Sequence, residues 1–138
     1  MSNLIIPDLS KKYMADVLVA NHNIDKMRLF QNNYVPSHAT ILTDLTVATF
    51  GGYVQQNLAG PTIGAALDGG GRAVITWIDL TFTRTSSPTN TIYGYYVIDE
   101  TGRLLWVERF DTPVVVDTDG IFIKLTPKLT DKSEFLNT

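Results

Sequence analysis

The chain has 138 residues, no cysteine, and 11 lysines and arginines against 14 aspartates and glutamates, a formal net charge of −3. That length suits one domain with a core of its own, and without cysteine there is neither a disulfide nor a thiolate nucleophile or metal ligand. The basic residues are scattered, with no run longer than Lys11-Lys12, so no nucleic-acid-binding stripe is expected, and no apolar stretch is long enough to cross a bilayer as a helix.

Met1 to Asp8 lacks the basic start and long apolar run of a secretion signal, so synthesis and use without secretion are expected. Leu4-Ile5-Ile6 reads as a short extended piece. From Leu9 to Ala20 the spacing predicts a helix, with Leu9, Tyr13 and Val17 on one stripe and Asp8 as its N-cap; Asn21 and Asn23 stop it. Lys26 to Gln31 is a predicted strand that runs into a turn at Asn32-Asn33 and Tyr34-Val35-Pro36-Ser37. Residues 38–50 mix helical spacing with β-branched threonine and valine and are expected to form a loop with one helical turn.

After Gly51-Gly52, Tyr53 to Leu58 is a predicted strand, and residues 59–72 a loop ending in Asp68-Gly69-Gly70-Gly71. Ala73 to Phe82 alternates as one strand, with Val74, Thr76, Ile78, Leu80 and Phe82 on one face. A turn at Ser86 to Asn90 leads to a strand dense in aromatics, Ile92 to Ile98. Asp99-Glu100-Thr101-Gly102 then reverses the chain into Arg103 to Phe110, a hairpin signal. Val114 to Val116 and Ile121 to Leu125 flank Asp117-Thr118-Asp119-Gly120 and predict a second hairpin. About seven short strands with regular turn signals argue for a mainly β fold, an antiparallel β-sandwich of which a jelly roll is one form, with a short N-terminal helix. The predicted organisation is a single domain over 1–138: an arm and helix at 1–22, the sandwich at 23–128 and a polar tail at 129–138.

Motifs that carry chemistry are few. The two histidines, His22 and His38, lie beside turn residues without zinc-ligand spacing. Gly69 to Gly71 lead through Arg72 into a strand, where a phosphate-binding loop needs Gly-Lys-Ser/Thr and a helix. Asp117-x-Asp119-Gly120 resembles part of a calcium loop, but the position of the bidentate glutamate is Thr126. Asp99, Glu100, Glu108 and Asp111 gather around one hairpin, where turn acids are expected in any case. No catalytic residue, metal or cofactor is therefore predicted. Tyr93, Tyr95 and Tyr96, with Trp106 and Trp77 on other strands, either line a core or form an outward patch that meets a protein subunit or a sugar.

The order of segments also carries a resemblance. Met27-Arg28-Leu29-Phe30-Gln31-Asn32-Asn33-Tyr34-Val35-Pro36 is followed by Leu45-Thr46-Val47-Ala48-Thr49-Phe50-Gly51-Gly52-Tyr53. Ile92-Tyr93-Gly94-Tyr95-Tyr96-Val97-Ile98-Asp99 then runs into Gly102-Arg103-Leu104-Leu105-Trp106-Val107-Glu108-Arg109-Phe110, and Ile123-Lys124-Leu125-Thr126-Pro127-Lys128 closes the domain. In this the chain resembles a group of small structural proteins of tailed bacteriophages, phages of cyanobacteria among them, over roughly residues 4 to 128. The resemblance implies a non-enzymatic virion protein and passes on no catalytic residue.

One step further lies a capsid cement, or decoration, protein. It would bind major capsid protein subunits on the outside of the expanded shell as a homo-oligomer, with a trimer favoured, and bind neither nucleic acid nor membrane. The alternative is a tail, baseplate or head-fibre component with host-glycan binding. The candidate contact residues are Leu4, Ile5, Ile6, Trp77, Tyr95 and Trp106. Leu4 to Ile6 act either as a docking arm or as an edge strand of the domain itself.

Overall fold

The computed structural model describes residues 25–64 and 74–130. The predicted N-terminal arm and helix, His22, the glycine run at 69–71 and the tail beyond 130 lie outside the described residues. Within them the protein is mainly β and every strand pairing is antiparallel. The strands are β1 (Lys26–Phe30), β2 (Gln56–Asn57), β3 (Thr62–Gly64), β4 (Val74–Thr76), β5 (Leu80–Thr83), β6 (Asn90–Ile98), β7 (Leu104–Val116), β8 (Phe122–Leu125) and β9 (Lys128–Thr130). The helical turn expected between 38 and 50 is a single 3₁₀ turn, Leu42–Asp44.

The chain divides into two compact units. Among the described residues, one comprises 59–64, 74–79 and 126–130 and carries the three-stranded sheet β3-β4-β9. The other comprises 25–58 and 80–125 and carries the four-stranded sheet β2-β1-β6-β7 and the two-stranded sheet β5-β8.

The larger unit is organised around β6. Its register sets Leu29 and Met27 of β1 against Tyr95 and Val97, and Glu108 and Trp106 of β7 against the same two residues, so these six share one face. The other face bears Phe30, Tyr96 and Ile98, which with Leu45 form a buried cluster flanked by Tyr34, Leu42, Tyr93, Leu104 and Val107. Burying an aromatic or aliphatic side chain of this kind stabilises by about 1.5–3 kcal/mol, so this cluster fixes the 31–45 loop over the sheet. Gly94 makes the arrangement sterically possible: a Cβ there would lie 2.2 Å from the Glu108 carbonyl oxygen and 2.6 Å from the Phe30 ring. Tyr53 ties the two sheets of this unit. Its hydroxyl accepts the Leu29 N–H (3.2 Å) and its ring stacks on Phe82 of β5 at 5.9 Å. Burial pushes its pKa up to about 12, against the opposing effect of the Leu29 N–H.

Three expectations need correction. Tyr53 to Leu58 is not one strand; only Gln56 and Asn57 pair, and Tyr53 serves as the inter-sheet tie. Ala73 to Phe82 is not one strand either. Ile75 and Trp77 are buried before the break and Leu80 and Phe82 after it, so the buried parity slips by one residue. The cause lies in the backbone: Trp77 N–H donates to Pro127 O, one step on from the Thr76–Lys128 pair, and proline has no N–H to return, so the β4–β9 ladder ends there, while Ile78 N–H donates to Ala59 O. Finally, Asp117 to Gly120 does not close a hairpin. β8 pairs with β5, not with β7, because Gly120 N–H donates to Arg84 O and Arg84 N–H to Ile121 O.

Candidate partner-binding surface

The β6–β7 pair brings together two of the residues singled out from sequence. On the face shared with Leu29, Tyr95 Oη donates to Glu108 Oε1 (2.7 Å) and accepts from Trp106 Nε1 (3.4 Å), and the Phe110 ring lies 6.5 Å from the Tyr95 ring. Tyr95 is buried, Trp106 and Phe110 are half-buried and Glu108 is exposed. Burial and then the Glu108 carboxylate both push the Tyr95 pKa well above the usual phenol range. This phenol stays a neutral donor and holds Glu108 against the strand. Trp77 belongs to the smaller unit and is buried there. Leu4, Ile5 and Ile6 lie outside the described residues.

The carboxylates of the hairpin take structural partners. Asp99 is only 3% exposed. Its Oδ1 accepts from Thr101 Oγ1 (2.6 Å), Thr101 N–H (2.9 Å) and Arg103 N–H (2.9 Å), and Oδ2 from Arg103 Nε (2.9 Å). The Thr101 hydroxyl above all, then the Arg103 N–H and guanidinium, hold this carboxyl well below the usual carboxylate range, against an opposing effect of burial. Asp119 pairs with the buried Arg84 at 2.6 Å. No group of three or more His, Cys, Asp or Glu side chains that could hold a metal ion occurs among the described residues.

On the opposite face of β7, sequence reasoning missed Arg109. Its guanidinium lies 5.2 Å from the Tyr93 ring centroid, a cation–π contact. Nη1 donates to Tyr34 O (2.8 Å) and Nη2 to Asn33 Oδ1 (2.7 Å). Two asparagines do comparable work. Asn32 Nδ2 donates to Asp44 O while its Oδ1 accepts the Thr46 N–H, closing the base of the 31–46 loop. Asn90 is buried, and its Oδ1 accepts from both Thr49 N–H and Phe50 N–H, fastening that segment to the start of β6. The only local signal for these residues is that asparagine favours turns; their partners lie too far along the chain for any spacing rule to find.

No protein-family model matches the chain, and no curated protein or solved structure matches it either. The surface must therefore be read from its own chemistry. On one face of the β6–β7 pair the Tyr95 and Trp106 rings and the Glu108 carboxylate hold one another, and on the other the Arg109 guanidinium is held by Tyr93, Tyr34 and Asn33.

Proposed function

We propose that this chain is a non-enzymatic structural protein of a tailed-phage virion. In this reading it is a capsid cement protein, bound on the outside of the expanded head where major capsid protein subunits meet. The observation that carries the reading is the use made of the ionisable side chains of the long hairpin. Asp99 stabilises a turn, Glu108 fixes Tyr95 and Arg109 anchors a loop. Groups positioned this way stiffen a surface, and stiffness is what adhesion rewards, because a preshaped surface loses little entropy on binding. The resemblance of the hairpin segments to small phage structural proteins points the same way.

The finer fold in this reading is a β-sandwich, its layers being the four-stranded and two-stranded sheets of the larger unit. The Tyr53 stack on Phe82 supports it. A cement protein acts by mass action: it binds the assembled, expanded shell in preference to separated subunits and so shifts the equilibrium toward the shell. A homo-oligomer, a trimer at a threefold position, multiplies weak contacts by avidity.

Copy number tests the reading. Gel densitometry of purified virions is expected to show on the order of hundreds of copies per particle, as point-group symmetry multiplies each shell contact. A few copies per particle would favour a tail, baseplate or head-fibre component. One observation speaks for that alternative: half-buried Trp106 and exposed Glu108 share a face, a pairing of ring and carboxylate suited to a host glycan. Glycan binding abolished by Trp106→Ala would decide for it.

A further inference from the structure

The turn between β7 and β8 contains Asp119-Gly120, the one Asp or Asn followed by glycine among the described residues. That dipeptide carries a chemistry of its own. The glycine nitrogen can attack Cγ of the aspartate and close a five-membered succinimide. The N–Cγ bond forms, a Cγ–O bond breaks, and the departing oxygen leaves as water with the amide proton and a proton from solvent. Water then adds at either ring carbonyl. One opening returns aspartate; the other gives isoaspartate, in which the main chain runs through Cγ and is one carbon longer. Nothing is oxidised or reduced. Glycine has no Cβ to hinder the attack, no heavy atom lies within 4 Å of where a Cβ at Gly120 would sit, and the Asp119 side chain is 64% exposed. Ring closure and the entry of water both have room.

Yet one residue holds both reacting groups. Asp119 Oδ1 accepts from Arg84 Nη1 (2.6 Å), and Gly120 N–H donates to Arg84 O (2.8 Å). The first bond keeps the carboxyl on the guanidinium and the second keeps the amide proton on its nitrogen. Arg84 is itself fixed, its N–H donating to Ile121 O (2.9 Å) next to the Thr83–Phe122 pair of β5 and β8. The dependence also runs the other way. The Arg84 Nε is buried with no acceptor, so Asp119 is the only partner of this buried guanidinium among the described residues. Isoaspartate would insert about 1.5 Å of extra main chain between the carboxylate and Gly120 N–H. That insertion pulls the two groups off their shared partner, and a buried cation left without its carboxylate is strongly destabilising.

We propose that Asp119-Gly120 is a modification site, held shut by Arg84 while β5 and β8 are paired, at which succinimide closure and hydrolysis to isoaspartate release β8. The proposal stands apart from the capsid reading and does not depend on it.

The test ages the full-length protein at neutral pH and measures isoaspartate at each position by peptide mapping. Wild-type chain in denaturant should react at 119 at least about tenfold faster than folded protein, which reacts only while the turn is open. Asp68-Gly69, the same dipeptide outside the described residues, is the internal reference. Arg84→Met should speed the reaction at 119 and leave that at 68 at its wild-type rate. Where Arg84→Met fails to fold, Arg84→Lys takes its place, since a single ammonium also loosens the hold and should raise the rate at 119 alone. Equal rates at 119 in folded and denatured wild type overturn the proposal. So does an unchanged rate at 119 in the Arg84 variant, or an equal rise at 119 and 68, which would mean general loosening. The isoaspartate form, isolated by hydrophobic-interaction chromatography, should melt below the unmodified protein and exchange the amide hydrogens of β8 faster. Unchanged melting and exchange overturn the release of β8.

Discussion

Asp99-Glu100-Thr101-Gly102 and Asp117-Thr118-Asp119-Gly120 are close in composition, and each ends on a glycine in the left-handed region, with φ of 91° at Gly102 and 95° at Gly120. They nevertheless connect different things. The first joins β6 to β7, neighbours in one sheet; the second joins β7 to β8, which belong to separate sheets. In the first, Gly102 N–H donates back to Asp99 O and the buried Asp99 carboxylate gathers donors from its own turn. In the second, Gly120 N–H and the Asp119 carboxylate both reach out to Arg84, just beyond β5. Turn chemistry thus decides that the chain reverses. Where the turn spends its hydrogen bonds goes with which strand the next one joins.

The β6–β7 pairing can be attacked without touching either turn. Gly94→Ala places a methyl 2.2 Å from the Glu108 carbonyl oxygen, and a backbone atom cannot swing aside as a side-chain tip can. The expected cost is about 2–3 kcal/mol, the largest of the set, read by chemical denaturation. If the first hairpin is the organising pairing of the larger unit, unfolding should remain one transition at a lower midpoint.

Asp99 comes next, and it has a pH signature. Its folded pKa lies below the ordinary carboxylate value, so it contributes stability that is fully present above about pH 4 and is lost as pH falls through the folded pKa. Asp99→Asn should therefore be less stable than the wild type at neutral pH, with the gap closing as the solution is acidified. Melting curves between pH 7 and pH 2 check this; a gap constant over that range would mean that the charge does not matter at this turn.

The first hairpin was legible from sequence because its instructions are local. Turn residues sit between two apolar runs, and Asp99 and Gly102 do what those residue types do in turns. β1 and β6 were legible for the same reason. The break at Trp77 to Asp79 was not. The alternation continues through it in residue type, with Ile78 in phase, yet Ile78 is exposed and the buried positions change phase. The ladder ends where Trp77 meets Pro127, which has no N–H to return, and that partner lies far along the chain. The candidate surface divides in the same way. An aromatic β6–β7 face could be read from composition, whereas the contacts of Arg109 with Asn33 and Tyr34 depend on tertiary placement. The second turn was misread because Asp-Gly chemistry says nothing about Arg84.

The two glycines offer a sharper comparison. Neither Gly102 nor Gly120 has a heavy atom within 4 Å of the position a Cβ would take, so alanine at either meets the strain of positive φ and no clash. Gly102→Ala and Gly120→Ala should each cost about 1–2 kcal/mol, and by similar amounts. A much larger loss at Gly120 would show that its N–H bond to Arg84 O depends on that backbone angle, and that the second turn is the more tightly specified of the two.

The smallest effect is expected from the ion pair that ties the second turn to the end of β5. Asp119 is 64% exposed, so its Coulomb interaction with Arg84 is largely screened. Arg84, however, is buried, and loses an acceptor when the carboxylate goes. Asp119→Ala should therefore cost only about 1 kcal/mol, and less at high salt. A double-mutant cycle with Arg84→Met separates the two contributions, since the coupling energy isolates what the pair itself provides. If the cycle shows no coupling while β8 remains paired with β5, the backbone bonds between Arg84 and residues 120 and 121 direct the crossing alone. The carboxylate is then an ornament of a turn whose destination is set by its main chain.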